Sequence, residues 1–421
     1  MTLNRFVACA VVLLLLPAPA LAQQLRFDDV VRNLRNPDPK TRLSAVRLLR
    51  DAKYPESIGP MAPLVVDPVD EVQLETIAAE LTFFLAEEVK GRRMVGFVIE
   101  RRNPAVAAAA FDLGPLALWP RRVPPALVSS LLQAIDDENA KVRLEATYAL
   151  GVIARPPLGG EEEQRLIKAL DHYDPAVRAA AARVVGRLQV TSAGDTLLKA
   201  VNDSNAQVRY AAMRALGSIK DVRAVQALTE QFAYYRKGEG AWAALDALAH
   251  LAQPASTELF KQRLADKDPY IRRAAAEGLG RLGDSSSIDE LVRSATTDDS
   301  EMVRMAMAFA LAKLGRNYVT RIVDTMDSAK MLPQAQEYLI ELGPAIEQDL
   351  YPRLQESEPG IRSGVAEVLG VIGGEAALPA LQRATQDRDP QVAAAAKRAI
   401  ARIKAAHERN GASRPPSQRD E

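Results

Sequence analysis

The chain has 421 residues, with 54 Lys+Arg against 54 Asp+Glu, three His, one Cys and 5% aromatic residues. A net charge of zero argues against a general nucleic-acid binder, which carries a clear basic excess. The single cysteine, Cys9, rules out a disulfide framework and a multi-cysteine metal site.

The first predicted element is a secretory signal peptide over residues 1–22. Arg5 supplies the charged start, Phe6 to Leu16 form an apolar run of 11 residues, and Ala20-Leu21-Ala22 is a small-x-small cleavage pattern. Cleavage is expected before Gln23. The apolar run is too short to cross a bilayer, which needs about 20 residues. No Cys follows the cleavage site to carry a lipid. Removing Arg5 leaves 53 Lys+Arg against 54 Asp+Glu, a net of −1. No second long apolar run follows, so the expectation is an exported chain, periplasmic or secreted, that does not span the membrane.

Residues 23–124 read as divergent helical repeats. Asp38-Pro39, Asp70-Glu71-Val72 and Asn103-Pro104-Ala105-Val106 are worn copies of a unit that is regular further on. Leu113 to Pro125, with Trp119 and four prolines, reads as an irregular connection. Over residues 125–407 the unit is clear: a turn, Val-Arg or Ile-Arg, an alanine-rich stretch, and often Leu-Gly. Its anchors are Val142, Val177, Val208, Ile271, Val303, Ile361 and Val392, at steps of 35, 31, 63, 32, 58 and 31 residues. The two long steps are double periods, with degenerate copies near Trp242 and Ala335. A recurring period of this kind specifies an array of small units, each packed on its neighbours.

The copy at 174–188 shows the local logic. Asp174 suits an N-cap, and Pro175 suits the first helical position, where a missing N–H is harmless. Val177, Ala181, Val184, Val185 and Leu188 share one stripe. Glu162 to Leu170 supplies a second helix. The predicted fold class is therefore all-α: an α-solenoid, or superhelix, of about 12 stacked antiparallel helix pairs. Gly151, Gly186, Gly217, Gly280 and Gly370 each follow an anchor by nine residues, which suits close packing or a helix stop. Residues 408–421 have no apolar face to bury and are expected to be unstructured.

This pattern resembles HEAT repeats, in particular the short HEAT-like repeats of phycobilisome lyases and many bacterial adaptor proteins. The resemblance implies a ladder of polar contacts between adjacent repeats. Arg143, Arg178, Arg209, Arg272, Arg304 and Arg362 match its Arg position. The copies near Trp242, Ala335 and Val392 lack that Arg, so the ladder is expected to break there. The alternative is that these arginines form a wall for an anionic partner.

Catalytic signatures are weak. Gly278-Leu279-Gly280-Arg281-Leu282-Gly283 matches Gly-x-Gly-x-x-Gly, but it ends a predicted helix instead of linking a strand to one, so no dinucleotide site follows. His172, His250 and His407 are far apart. Asp171-His172-Tyr173-Asp174 reads as a capped turn. One HEAT-repeat enzyme, deoxyhypusine hydroxylase, holds iron with several His-Glu pairs; this chain has one, His407-Glu408. No catalytic, cofactor or metal site is expected.

The distinctive segment is Phe232 to Trp242. Tyr234, Tyr235, Arg236 and Trp242 are residue types enriched where proteins bind proteins, although buried aromatics also serve packing alone. The expected function is a non-enzymatic protein–protein scaffold or adaptor. The alternatives are a lyase-like, chromophore- or ligand-handling protein and a structural part of an envelope assembly.

Overall fold

The computed structural model describes residues 26–86 and 106–412. The expected signal peptide, the Asn103-Pro104-Ala105 turn and the final nine residues lie outside these. The described residues form an α-solenoid, with one isolated antiparallel bridge between Leu85 and Leu118.

The helices follow in chain order. The N-terminal part contains α1 (Phe27–Asn33), α2 (Pro39–Ala52), α3 (Ile58–Met61), α4 (Asp70–Phe84) and α5 (Val106–Asp112). The regular array begins with α6 (Pro125–Ala134), α7 (Ala140–Ile153), α8 (Gly160–Lys168), α9 (Pro175–Arg187), α10 (Gly194–Ala200) and α11 (Ala206–Ser218). It continues through α12 (Val225–Tyr235), α13 (Gly238–Leu251), α14 (Thr257–Arg263), α15 (Pro269–Leu282), α16 (Ile288–Thr297) and α17 (Glu301–Lys313). It ends with α18 (Val319–Val323), α19 (Leu332–Leu342), α20 (Glu347–Leu350), α21 (Pro359–Ile372), α22 (Leu378–Ala384) and α23 (Pro390–Ala412). The last helix thus continues past residue 408. The degenerate copies near Trp242 and Ala335 are α13 and α19.

Short polar side chains start several of the second helices. Asp38, Asn139, Asn205 and Asp268 accept backbone N–H groups in the first turns of α2, α7, α11 and α15, as Asp174 does for α9. This satisfies donors that the helix itself leaves unpaired.

The second helices of successive pairs pack directly on one another, as α9 on α11 and α15 on α17, whereas first helices meet mainly their own partners. Glycine sets that spacing. A Cβ on Gly217 would lie 2.8 Å from Ala247 Cα, and one on Gly280 only 2.5 Å from Ala310 Cα. With the second-helix layer drawn in so closely, the array curves toward it. The apolar core, including Val142, Val177, Val208, Ile271 and Val303, runs on through successive pairs.

Candidate functional site

The turns before the second helices lie along one edge of the array, and the anchor arginines join them. Arg178 makes a complete rung. Its Nη1 donates to His172 O and Tyr173 O of its own turn at 2.8 and 3.2 Å, while Nε and Nη2 hold both oxygens of Asp203 at 2.8 and 2.9 Å. Arg272 holds Asp298 in the same way and adds Asp299, each at 2.8 Å. Arg362 holds Asp387 at 2.8 and 2.9 Å. Arg143 reaches Asp174 at 2.9 Å. Arg304 stays within its own turn, donating to Asp298 O at 2.6 Å.

Two rungs were missed in the sequence. Arg42 holds Asp67 at 2.7 and 2.8 Å. Asp38-Pro39-Lys40-Thr41-Arg42 keeps the spacing of Asp174 to Arg178, so this one had a legible signal. Gln73 on α4 donates to Asp137 at 2.8 Å. That bond carries the ladder across the 64 residues between them.

The expected break at Trp242 does not occur. From a position one residue beyond the one Arg holds elsewhere, the indole Nε1–H donates to Asp268 Oδ2 at 2.7 Å. An N–H reaching the same carboxylate is enough for a rung, whatever group carries it. One repeat earlier, Arg209 Nε donates to Tyr235 Oη at 2.6 Å, so a phenol stands where other rungs have a carboxylate. At the Ala335 copy only a 3.5 Å approach of Gln336 to Gly364 O remains.

These contacts set the charge states. Burial alone raises Asp203, but the bonds from Arg178 and the Asn205 N–H outweigh it and leave the carboxyl below its ordinary value. Arg362 does the same for Asp387. A carboxylate whose folded pKa is depressed contributes stability that is complete above its unfolded value, near about 4, and is lost as pH falls through the folded value. We therefore expect Arg178→Ala to cost about 1.5–3 kcal/mol at neutral pH. The gap from wild type should narrow as a thermal melt is repeated at decreasing pH below about 4. A gap independent of pH would show that the rung is not electrostatic.

The two consecutive rungs made by Tyr235 and Trp242 form an aromatic stretch. Tyr210 meets Tyr235 edge-on at 5.5 Å, and Tyr234 meets it at 5.0 Å. Trp242 stacks on Tyr270 at 4.3 Å. Gly240 lets the Tyr235 ring lie on the start of α13, since a Cβ there would be 2.5 Å from the ring. Tyr234 is 76% exposed and Tyr270 39%. Arg236 and Lys237 are exposed beside them. Arg236 has φ +62°, a region that is strained for a residue with a side chain. Of the four residues singled out in the sequence, Tyr235 and Trp242 thus also serve as rungs, and Tyr234 and Arg236 face solvent.

A second polar cluster lies on the inner face, around a cavity of about 310 Å³. Tyr338 of α19, fully buried, donates to Glu277 of α15 at 2.5 Å. Arg281 donates to Glu277 at 3.0 Å and to Glu341 at 2.8 Å. Arg273 donates to Asp246 at 2.6 Å and lies 3.3 Å from Glu277. Burial, and then Glu277, push the Tyr338 phenol well above its ordinary pKa. Nothing in the sequence signalled this cluster: Tyr338 and Glu277 are 61 residues apart and meet only because the array curves. Among the described residues no group of three or more His, Cys, Asp or Glu is placed to hold a metal ion.

The model for HEAT repeats matches residues 163–237, 236–312 and 335–408, more than half of the chain, and a second HEAT-repeat model matches 127–155. No curated protein matches. Among solved structures, an engineered protein is 21% identical, covering 90% of this chain and 98% of its own, with a TM-score of 0.41. The complex of CpcE and CpcF of phycocyanin lyase from Nostoc sp. PCC7120 is 17% identical over 77% of this chain and 98% of that one, with a TM-score of 0.31. Importin beta is 13% identical over 91% of this chain and 58% of its own, with a TM-score of 0.36.

Proposed function

Because the chain belongs to the HEAT-repeat family, whose stacked units offer extended binding surfaces, we propose that it is an exported protein-interaction scaffold whose partner docks on the aromatic stretch of the ladder edge. The observation that carries this reading is the change of chemistry at two rungs. Arg with Asp joins the turns at Arg178–Asp203, Arg272–Asp298 and Arg362–Asp387. At Tyr235 and Trp242 the rung groups themselves are aromatic, and there the edge leaves Tyr234 and Tyr270 in solvent beside Arg236 and Lys237, whereas the exposed Tyr173 lies on a turn whose rung is Arg with Asp. Exposed Tyr with flanking Arg is the composition of a protein-binding hot spot. Export rests on the signal-peptide pattern at residues 1–22, and it places the scaffold in the periplasm or outside the cell.

The test spares the rungs. The chain starting at Gln23 is used to capture partners from a native envelope extract, beside a Tyr234→Ser/Tyr270→Ser variant. A discrete partner, held by wild type and lost with the variant at unchanged melting temperature, is expected. Equal capture by both would remove the site from this edge. Mass spectrometry of the native protein should read Gln23 as the first residue; an uncleaved chain would overturn export.

A further inference from the structure

The curve of the array brings α23 back onto the connection between α5 and α6, 286 residues earlier. Arg402 crosses this seam. Its Nη2 donates to Leu116 O and, at 3.2 Å, to Leu118 O, and its Nη1 donates to Glu367 of α21. Glu367 is buried and also accepts from Arg398 Nε at 2.7 Å. The guanidinium is thereby oriented from its own side of the seam. The receiving side is also fixed. Trp119 N–H donates to Phe84 O and Ala86 N–H to Ala117 O, both at 2.8 Å, around the Leu85–Leu118 bridge.

One feature makes this closure easy to undo. Further back, the ladder has no full rung between Arg304 and Arg362, and the inner helices pack least extensively on either side of α19. The buried Tyr338–Glu277 bond ties α19 to the preceding repeats. The sparse packing of α17 on α19 is thus reinforced by a buried polar bond, whereas among the described residues the polar contact between α19 and α21 is only the 3.5 Å approach of Gln336 to Gly364 O, which marks the joint between them as the hinge.

We propose that Arg402 is a conformational latch. Closed, it holds the last repeats against the connection at residues 113–124. Open, it lets α21 to α23 swing away as one body about the joint after α19. A few hydrogen bonds of one guanidinium are weak beside the apolar core that unites α21 with α23, so the seam opens before the repeats come apart. A ligand that binds across the seam then sets the curvature of the array by its preference for one state.

The chain starting at Gln23 has no Cys, so spin labels can be placed cleanly. One pair, Arg122→Cys with Lys404→Cys, spans the seam. A second, Val371→Cys with Lys404→Cys, lies within the moving body; all three sites are exposed. In wild type both pairs should give a single narrow distance. Arg402→Ala should lengthen and broaden the seam distance, by more than about 5 Å, the pitch of a helix. The second pair should stay unchanged. An unaltered seam distance overturns the latch. A change in both pairs also overturns it, because α23 would then have detached from α21 instead of swinging with it. Arg402→Gln, which keeps a shorter donor, should fall between the two and guards against a folding defect in the alanine variant.

Discussion

Val208→Asp should destabilise the repeats around α11 by about 4 kcal/mol, whereas Val222→Asp, the same change 14 residues on, should shift stability by no more than about 0.5 kcal/mol. Val208 is 1% exposed and Val222 is 54% exposed. α11 packs against α9, α10 and α13, so a carboxylate at 208 enters the core that joins three successive repeats. It cannot stay ionised there at reasonable cost. It takes up a proton and remains poorly hydrogen-bonded, and the packing of the valine methyls is lost as well. The backbone at 208 keeps its cap, since Asn205 accepts the Val208 N–H at 3.3 Å. The loss is therefore assigned to burial and not to helix initiation. Far-UV circular dichroism in a denaturant series reads both variants. The Val208→Asp melt should be broad or stepped, because disrupting one unit of an array uncouples its two flanks. If the two variants melt together, the register that places Val208 in the core is wrong.

That register was legible in the sequence because it is local. Each unit carries its own turn, cap, anchor and alanine stripe within about one repeat length, and repetition multiplies a weak signal. The Asp174 cap, the second helix beginning at Pro175 and the close approach at Gly280 all follow from residues near to one another in the chain. The rungs were legible only while they kept the same residue type. Arg178 and Arg272 were readable. Trp242 and Tyr235 were not, because what the rung requires is a donor and an acceptor at a given place, and an indole N–H and a phenol oxygen meet that requirement without resembling Arg and Asp. Gln73 escaped for the same reason. The inner cluster and the Arg402 seam lie beyond any local reading. Their partners are 60 and 286 residues apart, and only the accumulated curvature of the array brings them together.

Glu277→Ala is the second large effect, at about 3–5 kcal/mol, and Glu277→Gln should recover part of it. Glu277 sits at the centre of the inner cluster, with Tyr338 and Arg281 donating to its two oxygens at 2.5 and 3.0 Å. Removing the carboxylate leaves the fully buried Tyr338 hydroxyl without its acceptor. It also leaves two guanidiniums, Arg273 and Arg281, sharing a shielded site with less negative charge. Arg281 keeps Glu341 and Arg273 keeps Asp246, so the cluster loosens without collapsing. Glutamine retains an oxygen for Tyr338 but not the charge, which separates the hydrogen-bond contribution from the ionic one. A buried ion cluster is expensive to break even where an apolar replacement of both partners would have been neutral. The loss should be confined to α15, α17 and α19, because Phe309 of α17 stacks on Tyr338 at 4.3 Å and transmits the change to its neighbours. Hydrogen exchange should therefore accelerate over residues 269–342 while the protection of α7 and α9 stays as in wild type. Uniform acceleration along the whole array, or alanine and glutamine variants that melt with wild type, would mean that apolar packing alone holds α15 to α19 and that the cluster is free to serve a ligand.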